Sequence, residues 1–267
     1  MARAKGIGFH KVFKLGKARA RKDPRTLQFS KLMKAPFDLV IPDAYDFDVK
    51  HSGIPTPMYA NDKLGDCVIA GRAHHTLRFE VIEQNQIISI SDQDVISEYF
   101  LETGGMDNGV VVLDSLNRWR NTGWLAADQQ LTISAFAQIN PANPDEVKNA
   151  IFMDVGVGIG LLLPKSAKGQ IDGGQPWEVV DGSTGSPNSW GGHYVYVSGY
   201  TAQGPVCVTW GRKQQMTWNF LRTYCDEAYA VFDALNTKKL KEGLRVNLLT
   251  DFLRVNPPTS IAAPISY

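Results

Sequence analysis

The chain has 267 residues, of which 43% are hydrophobic and 21% are charged, enough for one large domain or two lobes sharing a core. No uninterrupted apolar stretch is long enough to span a bilayer, and the basic N-terminus lacks the apolar segment of a secretory signal. The three cysteines, Cys67, Cys207 and Cys225, contain no CxxC pair, which indicates reduced thiols and argues against structural zinc. We expect a cytoplasmic or virion protein without metal, cofactor or membrane contact.

Charge is distributed unevenly along the chain, although the formal net charge is only +1. Residues 1–34 carry eleven Lys and Arg and one acid. Such a basic arm suits an acidic protein groove or nucleic acid, or it is a solvated tail. Apolar side chains within the arm favour docking. The expected anchors are Phe9, Phe13, Leu27 and Phe29. We predict that the arm packs against a protein partner or assembly rather than against its own domain. Nucleic acid is the less favoured partner.

The first half of the chain shows mainly helical patterns. Residues 35–60 contain four prolines and are predicted to be an extended connector. Apolar residues at helical spacing predict a helix from 67 to about 83. A capping-box pattern at Ser91 begins a second helix, Gly123 closes a third, and Pro144 opens a short fourth helix.

The second half changes to strand patterns. Strands are predicted at 155–163, 194–197, 206–210 and 229–232, with a short helix at 217–224. Helices followed by strands indicate an α+β fold. The expected divisions are the arm at 1–34, the connector at 35–60, a helical lobe at about 61–150, a β lobe at about 151–235 and a C-terminal extension at 236–267.

Cys67 is the strongest candidate for chemistry. It follows the expected N-cap Asp66 in the first turn of a helix, where the helix dipole favours a thiolate, although a small buried cysteine is the alternative. His193 lies 126 residues later, and folding has to bring such a base to the nucleophile. His74 and His75 lie too far along the helix axis to act on Cys67 and are expected to be surface or packing residues.

Several segments, taken in order, resemble the papain-like cysteine peptidase family. Asn61 stands six residues before Cys67, where the family has a Gln that donates to the oxyanion. Gly192-His193-Tyr194-Val195 is similar to the family's histidine strand, and Thr209-Trp210-Gly211 to its Ser-Trp-Gly segment. The resemblance covers about residues 55–235. It implies a papain-like two-lobe fold, a helical lobe followed by an antiparallel β-barrel-like lobe, with the site in the cleft between them.

The same resemblance implies a Cys67–His193 dyad with Asn61 as oxyanion donor. One position departs from the family's pattern. The residue expected to orient the histidine is Val208, which cannot accept a hydrogen bond. Asn188 precedes the histidine and is expected in a loop, while Thr209 should point away from the direction of Val208 if both lie in one strand.

Three interpretations of function follow. The first is a thiol-dependent acyl-transfer hydrolase that attacks a peptide or related amide bond through a thioester. The second is a catalytically silent structural protein, docked in an assembly by its basic arm. A phage virion is the assembly considered, because residues 23–27 resemble a segment of phage- and prophage-encoded proteins. Nucleic-acid binding is a third interpretation that rests on the charge of the arm alone.

Overall fold

The computed structural model describes residues 13–34, 40–153, 156–233 and 238–255, and the statements below concern those residues. The helices are α1 (Phe29–Leu32), α2 (Phe47–Lys50), α3 (Cys67–Glu83), α4 (Asp92–Thr103), α5 (Val112–Asn121), α6 (Pro144–Met153), α7 (Lys165–Asp172), α8 (Trp218–Tyr224), α9 (Lys238–Gly243) and α10 (Val246–Val255). The strands are β1 (Tyr45–Asp46), β2 (Trp124–Ala126), β3 (Gln129–Leu131), β4 (Ala135–Gln138), β5 (Val157–Leu163), β6 (Gly191–Thr201), β7 (Gly204–Thr209), β8 (Arg212–Gln215) and β9 (Cys225–Phe232).

Helix α3 is the centre of the first lobe. It begins at Cys67, as the sequence predicted, and its residues from 67 to 81 are all buried. The helix is enclosed because β6 packs on one side of it and α4 and α5 pack on others. Helix α4 begins with the predicted capping box between Ser91 and Asp94. The first lobe has its own hydrophobic cluster, which joins these helices to the short hairpin β2–β3.

The second lobe is an antiparallel sheet with the strand order β4-β9-β5-β6-β7-β8, to which β1 adds beside β6. The hydrophobic cluster of this lobe is covered by α1, α6, α7 and α8. Helices first and an antiparallel sheet second confirm the predicted α+β class. Strand β6, which contains His193, is central to the candidate active site, because it lies between β5 and β7 and also contacts α3.

The prediction that the basic arm avoids its own domain is wrong for residues 13–34. Phe13 is 7% exposed, and its ring lies 4.7 Å from that of Trp210. Phe29 is fully buried and stacks on Phe232. The arm joins the core because its apolar side chains pack inward, while most of its lysines and arginines stay exposed and Lys17 pairs with two acids of the same domain. Residues 1–12, which include the expected anchor Phe9, lie outside the described residues, and a partner for the arm stays a prediction.

The C-terminal part of the described chain also joins the second lobe. Leu244 and Leu249 are each 1% exposed within its hydrophobic cluster, and Met33 of the arm pairs with Leu244. Leu253 packs against the same cluster. Among the described residues, no helix combines the length and the apolar composition needed to cross a membrane. Residues of the arm and residues 244–253, which are far apart in sequence, thus pack in the same hydrophobic cluster.

Candidate active site

His193 is held by two neighbours at the start of β6. Its Nε2 lies 2.7 Å from Thr209 Oγ1, and its ring stacks on Trp210 with centroids 4.0 Å apart. The ring is 1% exposed, and its Nδ1 has no hydrogen-bond partner among the described residues. The imidazole is therefore fixed in orientation by Thr209 and Trp210, through one ring nitrogen and one ring face.

The expectation that the orienting position falls on Val208 is wrong. Tyr196 of β6 lies opposite Val208 of β7. Because side chains alternate along a strand, His193 shares its face with Thr209, and Val208 points to the opposite face. Asn188 is exposed in its loop and takes no part in this contact.

Trp210 reaches the histidine from the turn that follows β7. Its φ angle is 44°, in the left-handed region that non-glycine residues rarely adopt. Because the backbone turns here, the Trp210 side chain does not follow the alternating side-chain orientation of β7. The indole can therefore cover the His193 ring. The indole Nε1 donates to the carbonyl of Lys14 at 3.2 Å, which links the histidine's cover to the N-terminal arm.

Cys67 lies beside the same strand. Its Sγ accepts a hydrogen bond from the backbone nitrogen of Tyr194 at 3.4 Å, and Tyr194 directly follows His193. The backbone N–H of Gly16 also faces this sulfur and lowers the pKa of the thiol. The fold thus brings the start of α3 to the start of β6, where the sequence predicted a nucleophile and a base.

A segment of the arm lies across this meeting point. We call residues 14–18 the strap. Five hydrogen bonds tie the strap to the two lobes: Lys14 N to Asn61 O (3.1 Å), Val110 N to Gly16 O (2.8 Å), Lys17 N to Gly192 O (3.1 Å), Ala18 N to Val110 O (2.9 Å) and Trp210 Nε1 to Lys14 O (3.2 Å). The strap is therefore an extended peptide, bonded on both sides, in the cleft above Cys67.

Glycines make this close seating of the strap possible. A Cβ at Gly16 would overlap the carbonyl of Gly65, the residue two before Cys67. A Cβ at Gly109 would overlap the carbonyl of Gly16, and Gly109 also has a φ of 79°. With the strap seated, the free space around Cys67 and Thr209 measures about 10 Å³, which leaves no room for a substrate.

Burial under the strap sets the protonation of the pair. Burial is the main cause that raises the pKa of the Cys67 thiol to about 12. The backbone N–H groups of Tyr194 and Gly16 lower this pKa, but by less than burial raises it. Burial also lowers the pKa of His193 to about 3. A thiolate–imidazolium pair is therefore disfavoured near neutral pH while the strap is seated, and the activated thiol expected at a helix N-terminus is not the form present here.

Asn61 is close to the site, but its amide is engaged. Its Nδ2 donates to Leu64 O at 3.1 Å and to Asp66 Oδ1 at 2.9 Å, which uses both of its protons. Burial raises the pKa of Asp66 to about 8, and Asp66 Oδ2 has no hydrogen-bond partner among the described residues. Asn61 can donate to an oxyanion only after it leaves one of these acceptors.

The other histidines of α3 serve packing. His74 is 2% exposed and its ring lies 5.0 Å from that of Tyr59. His75 is fully buried, with Nε2 3.3 Å from Gly156 O and its ring stacked on Phe79. They are packing residues, one of the two expected roles, but they are not on the surface. In the described part of the chain, no group of three His, Cys, Asp or Glu side chains could hold a metal ion.

Lys17 is a site residue that sequence reasoning missed. Its side chain is fully buried, with Nζ 2.9 Å from Asp226 Oδ2 and 3.1 Å from Glu227 Oε1. Burial alone would lower the pKa of Lys17, but the two carboxylates outweigh it and raise the pKa. Nothing in the sequence distinguishes this lysine from the other ten basic residues of the arm, because its partners lie more than 200 residues away.

The fold is similar to solved structures of cysteine proteases. Xylellain from Xylella fastidiosa superposes with a TM-score of 0.65 over 84% of this chain and 98% of its own, at 13% identity. Procathepsin B S9 from Trypanosoma congolense gives 0.60 over 86% and 90%, at 11% identity. Procathepsin L 3 of the Tenebrio molitor larval midgut gives 0.53 over 78% and 76%, at 10% identity. The sequence matches no protein-family model and no curated protein. The chain has the papain-like cysteine protease fold, as its sequence predicted, and identities this low show the fold alone.

Proposed function

We propose that the protein is a thiol-dependent acyl-transfer hydrolase whose cleft is closed by its own strap. The observation that carries this proposal is the convergence of Cys67 and the His193–Thr209 pair beneath an extended peptide. Sγ of Cys67 accepts a hydrogen bond from the backbone N–H of the residue after His193. His193 is held through Nε2 by Thr209, and its Nδ1 has no hydrogen-bond partner among the described residues. An extended chain bonded to both walls of the cleft occupies the space that a peptide substrate would need.

The chemistry requires the strap to leave the cleft. Water then reaches the pair, the burial that opposes charge is relieved, and Cys67 can pass its proton to Nδ1 of His193. The thiolate attacks the substrate carbonyl, and His193 returns the proton to the departing amine as the C–N bond breaks. Water then cleaves the thioester, giving the acid and restoring the thiol.

Two groups are available to the developing oxyanion. The N–H groups of Cys67 and Val68 begin α3 and have no partner within the helix, whereas those of Ile69 and Ala70 donate to Asp66 O. The amide of Asn61 becomes a donor if its bond to Asp66 opens. Thr209 takes the place that a side-chain amide would have, and its hydroxyl orients the His193 ring through Nε2.

The second candidate is a catalytically silent assembly protein with the same fold. It is favoured by the engagement of Asn61, whose amide protons both have acceptors, and by the deep seating of the strap. On this interpretation the strap is a permanent part of the domain, and the remaining basic arm would dock in a larger assembly such as a phage virion. A protein partner for the arm belongs to this candidate.

Acylation of Cys67 separates the two candidates. The full-length protein carrying Gly16→Ala, which unseats the strap, is incubated with an activated ester such as a p-nitrophenyl ester. A hydrolase gives a burst of nitrophenolate, a mass increase on Cys67 and steady turnover. Cys67→Ser should abolish all three, whereas Cys225→Ser, at the partly exposed thiol, should change none of them. Acylation without turnover, or no acylation at all, favours the silent candidate.

A further inference from the structure

We propose that the pocket now holding Lys17 is a specificity site for a lysine or arginine side chain of a peptide substrate. We call this pocket the lysine socket, and it is formed by Gly160, Asp226 and Glu227. The proposal rests on the proposed function, because it concerns what the same cleft accepts after the strap leaves. It follows from how the strap lies: Gly16 faces the thiol, and the next side chain along the peptide enters the socket.

The shape of the socket fits a long unbranched side chain. Gly160 of β5 forms one wall, and a Cβ there would overlap Cε of Lys17. The absent side chain at Gly160 thus provides the space that the four-carbon stem occupies. The stem is enclosed along its length, since the Lys17 side chain is fully buried.

A β-bulge places both acids at the end of the socket. Neighbouring residues of a regular strand point to opposite faces. Here Gly160 pairs with Glu227 while Leu161 pairs with Cys225, so Asp226 is the extra residue of the bulge. Both carboxylates can therefore approach one ammonium group, at 2.9 and 3.1 Å.

Glu227 is held by the sheet as well as by the strap. Tyr229 donates its hydroxyl to Glu227 Oε2 at 3.2 Å, and Glu227 is 2% exposed. Its other oxygen, Oε1, accepts no hydrogen bond among the described residues, and its near cation is Lys17. When the strap leaves, a buried carboxylate is left without its counter-charge, and an apolar side chain in its place would keep that carboxylate unpaired. A lysine or arginine side chain restores the charge pair.

Two matched electrophiles test this proposal on the full-length Gly16→Ala protein. Each is an acylated dipeptide chloromethyl ketone that alkylates a thiolate with loss of chloride, one with the sequence Lys-Gly and the other norleucine-Gly. Bound with a chain direction opposite to that of the strap, each probe has its glycine at Cys67 and its longer side chain at the socket. Norleucine has the same stem without the charge. The lysine probe should label Cys67 about tenfold faster or more, which corresponds to one charge-assisted hydrogen bond. The ratio of the two rates cancels differences in strap opening, because both probes compete with the same strap.

Variants then locate the origin of the preference. Glu227→Gln should bring the ratio close to one, and Glu178→Gln, at an exposed acid, should leave it unchanged. Asp226→Asn, at the more exposed acid, serves if Glu227→Gln does not fold. Equal labelling by both probes overturns the socket proposal and leaves the proposed function standing. Failure of both probes, while iodoacetamide still alkylates Cys67, overturns the proposed function and the socket proposal with it.

Discussion

Thr209 and His193 lie on one face of two neighbouring strands, with Thr209 Oγ1 2.7 Å from His193 Nε2. A hydroxyl can donate or accept, so it holds the ring without fixing a charge on it. The contact is buried, and Trp210 closes it from above. The histidine is therefore supported from two sides by consecutive residues of one strand end.

The hydroxyl of Thr209 is expected to be necessary for this arrangement. Thr209→Val keeps the shape but leaves Nε2 without a partner in a buried position, which should lower the free energy of unfolding by about 1–3 kcal/mol. Thr209→Ser, which retains the hydroxyl, should cost less. Denaturant unfolding measures both variants. Equal losses would show that the methyl group, and not the hydrogen bond, carries the contribution of Thr209.

The sequence predicted the helix that begins at Cys67 and the strand of His193 because both depend on local patterns. The Gly-Asp turn and the apolar spacing after Cys67 define where α3 begins, and the prediction of its end at about Glu83 was also right. The capping box at Ser91 is local in the same sense. A pattern contained within one turn of helix or one strand needs no knowledge of the rest of the fold.

The errors concern contacts between distant segments. The family resemblance placed the orienting position at Val208, and the register between β6 and β7, which puts Thr209 on the face of His193, cannot be read from either strand alone. The strap was missed for the same reason, since an arm with many lysines gives no sign that Lys17 will be buried against Glu227. Composition identified the arm as basic and partly apolar, but not the surface that its apolar residues would cover.

Displacement of the strap should expose Cys67. Gly16→Ala places a Cβ against the carbonyl of Gly65, so the strap cannot seat fully. Because a closed site reacts only when open, each 1.4 kcal/mol lost by the closed form should raise the alkylation rate of Cys67 about tenfold. Iodoacetamide labelling followed by mass spectrometry measures this rate at each thiol.

The matched control is Gly169→Ala in α7, where an added Cβ meets no atom within 4 Å. This variant should leave labelling of Cys67 unchanged. Cys207 should stay slow in both variants, because it is buried in the sheet away from the strap. If Gly16→Ala accelerates Cys207 as much as Cys67, the substitution has loosened the domain and has not opened the cleft.

Asp66 should make stability depend on pH. The pKa of Asp66 is about 8 in the folded protein, compared with about 3.9 for an aspartate in an unfolded chain. Between these values the folded state holds a proton that the unfolded state has released. The free energy of unfolding should therefore fall as pH rises from about 4 to about 8, and this contribution should be constant above that window.

Asp66→Asn tests this dependence, because the amide oxygen can still accept from Asn61 and does not ionise. The variant should gain stability relative to the wild type as pH rises through the window, with little difference near pH 4. Asp43→Asn, at an exposed acid, should show no such trend. Thermal unfolding at several pH values measures the difference, and parallel curves for wild type and Asp66→Asn would contradict the assignment.

Lys17 should stabilise the domain through the strap. Lys17→Met keeps most of the buried stem but removes the cation from Asp226 and Glu227. Breaking a buried pair from one side leaves uncompensated charge, and we expect a loss of about 3 kcal/mol, at the low end for such pairs because Asp226 retains some exposure to water. The matched control is Lys14→Met, an exposed lysine of the same strap, which should change stability by less than about 0.5 kcal/mol. In Lys17→Met, Glu227→Gln should recover part of the loss, since it removes the charge left unpaired. A second substitution that instead adds its full cost to the first would mean that Lys17 and Glu227 act independently and that the ion pair is not what holds the strap.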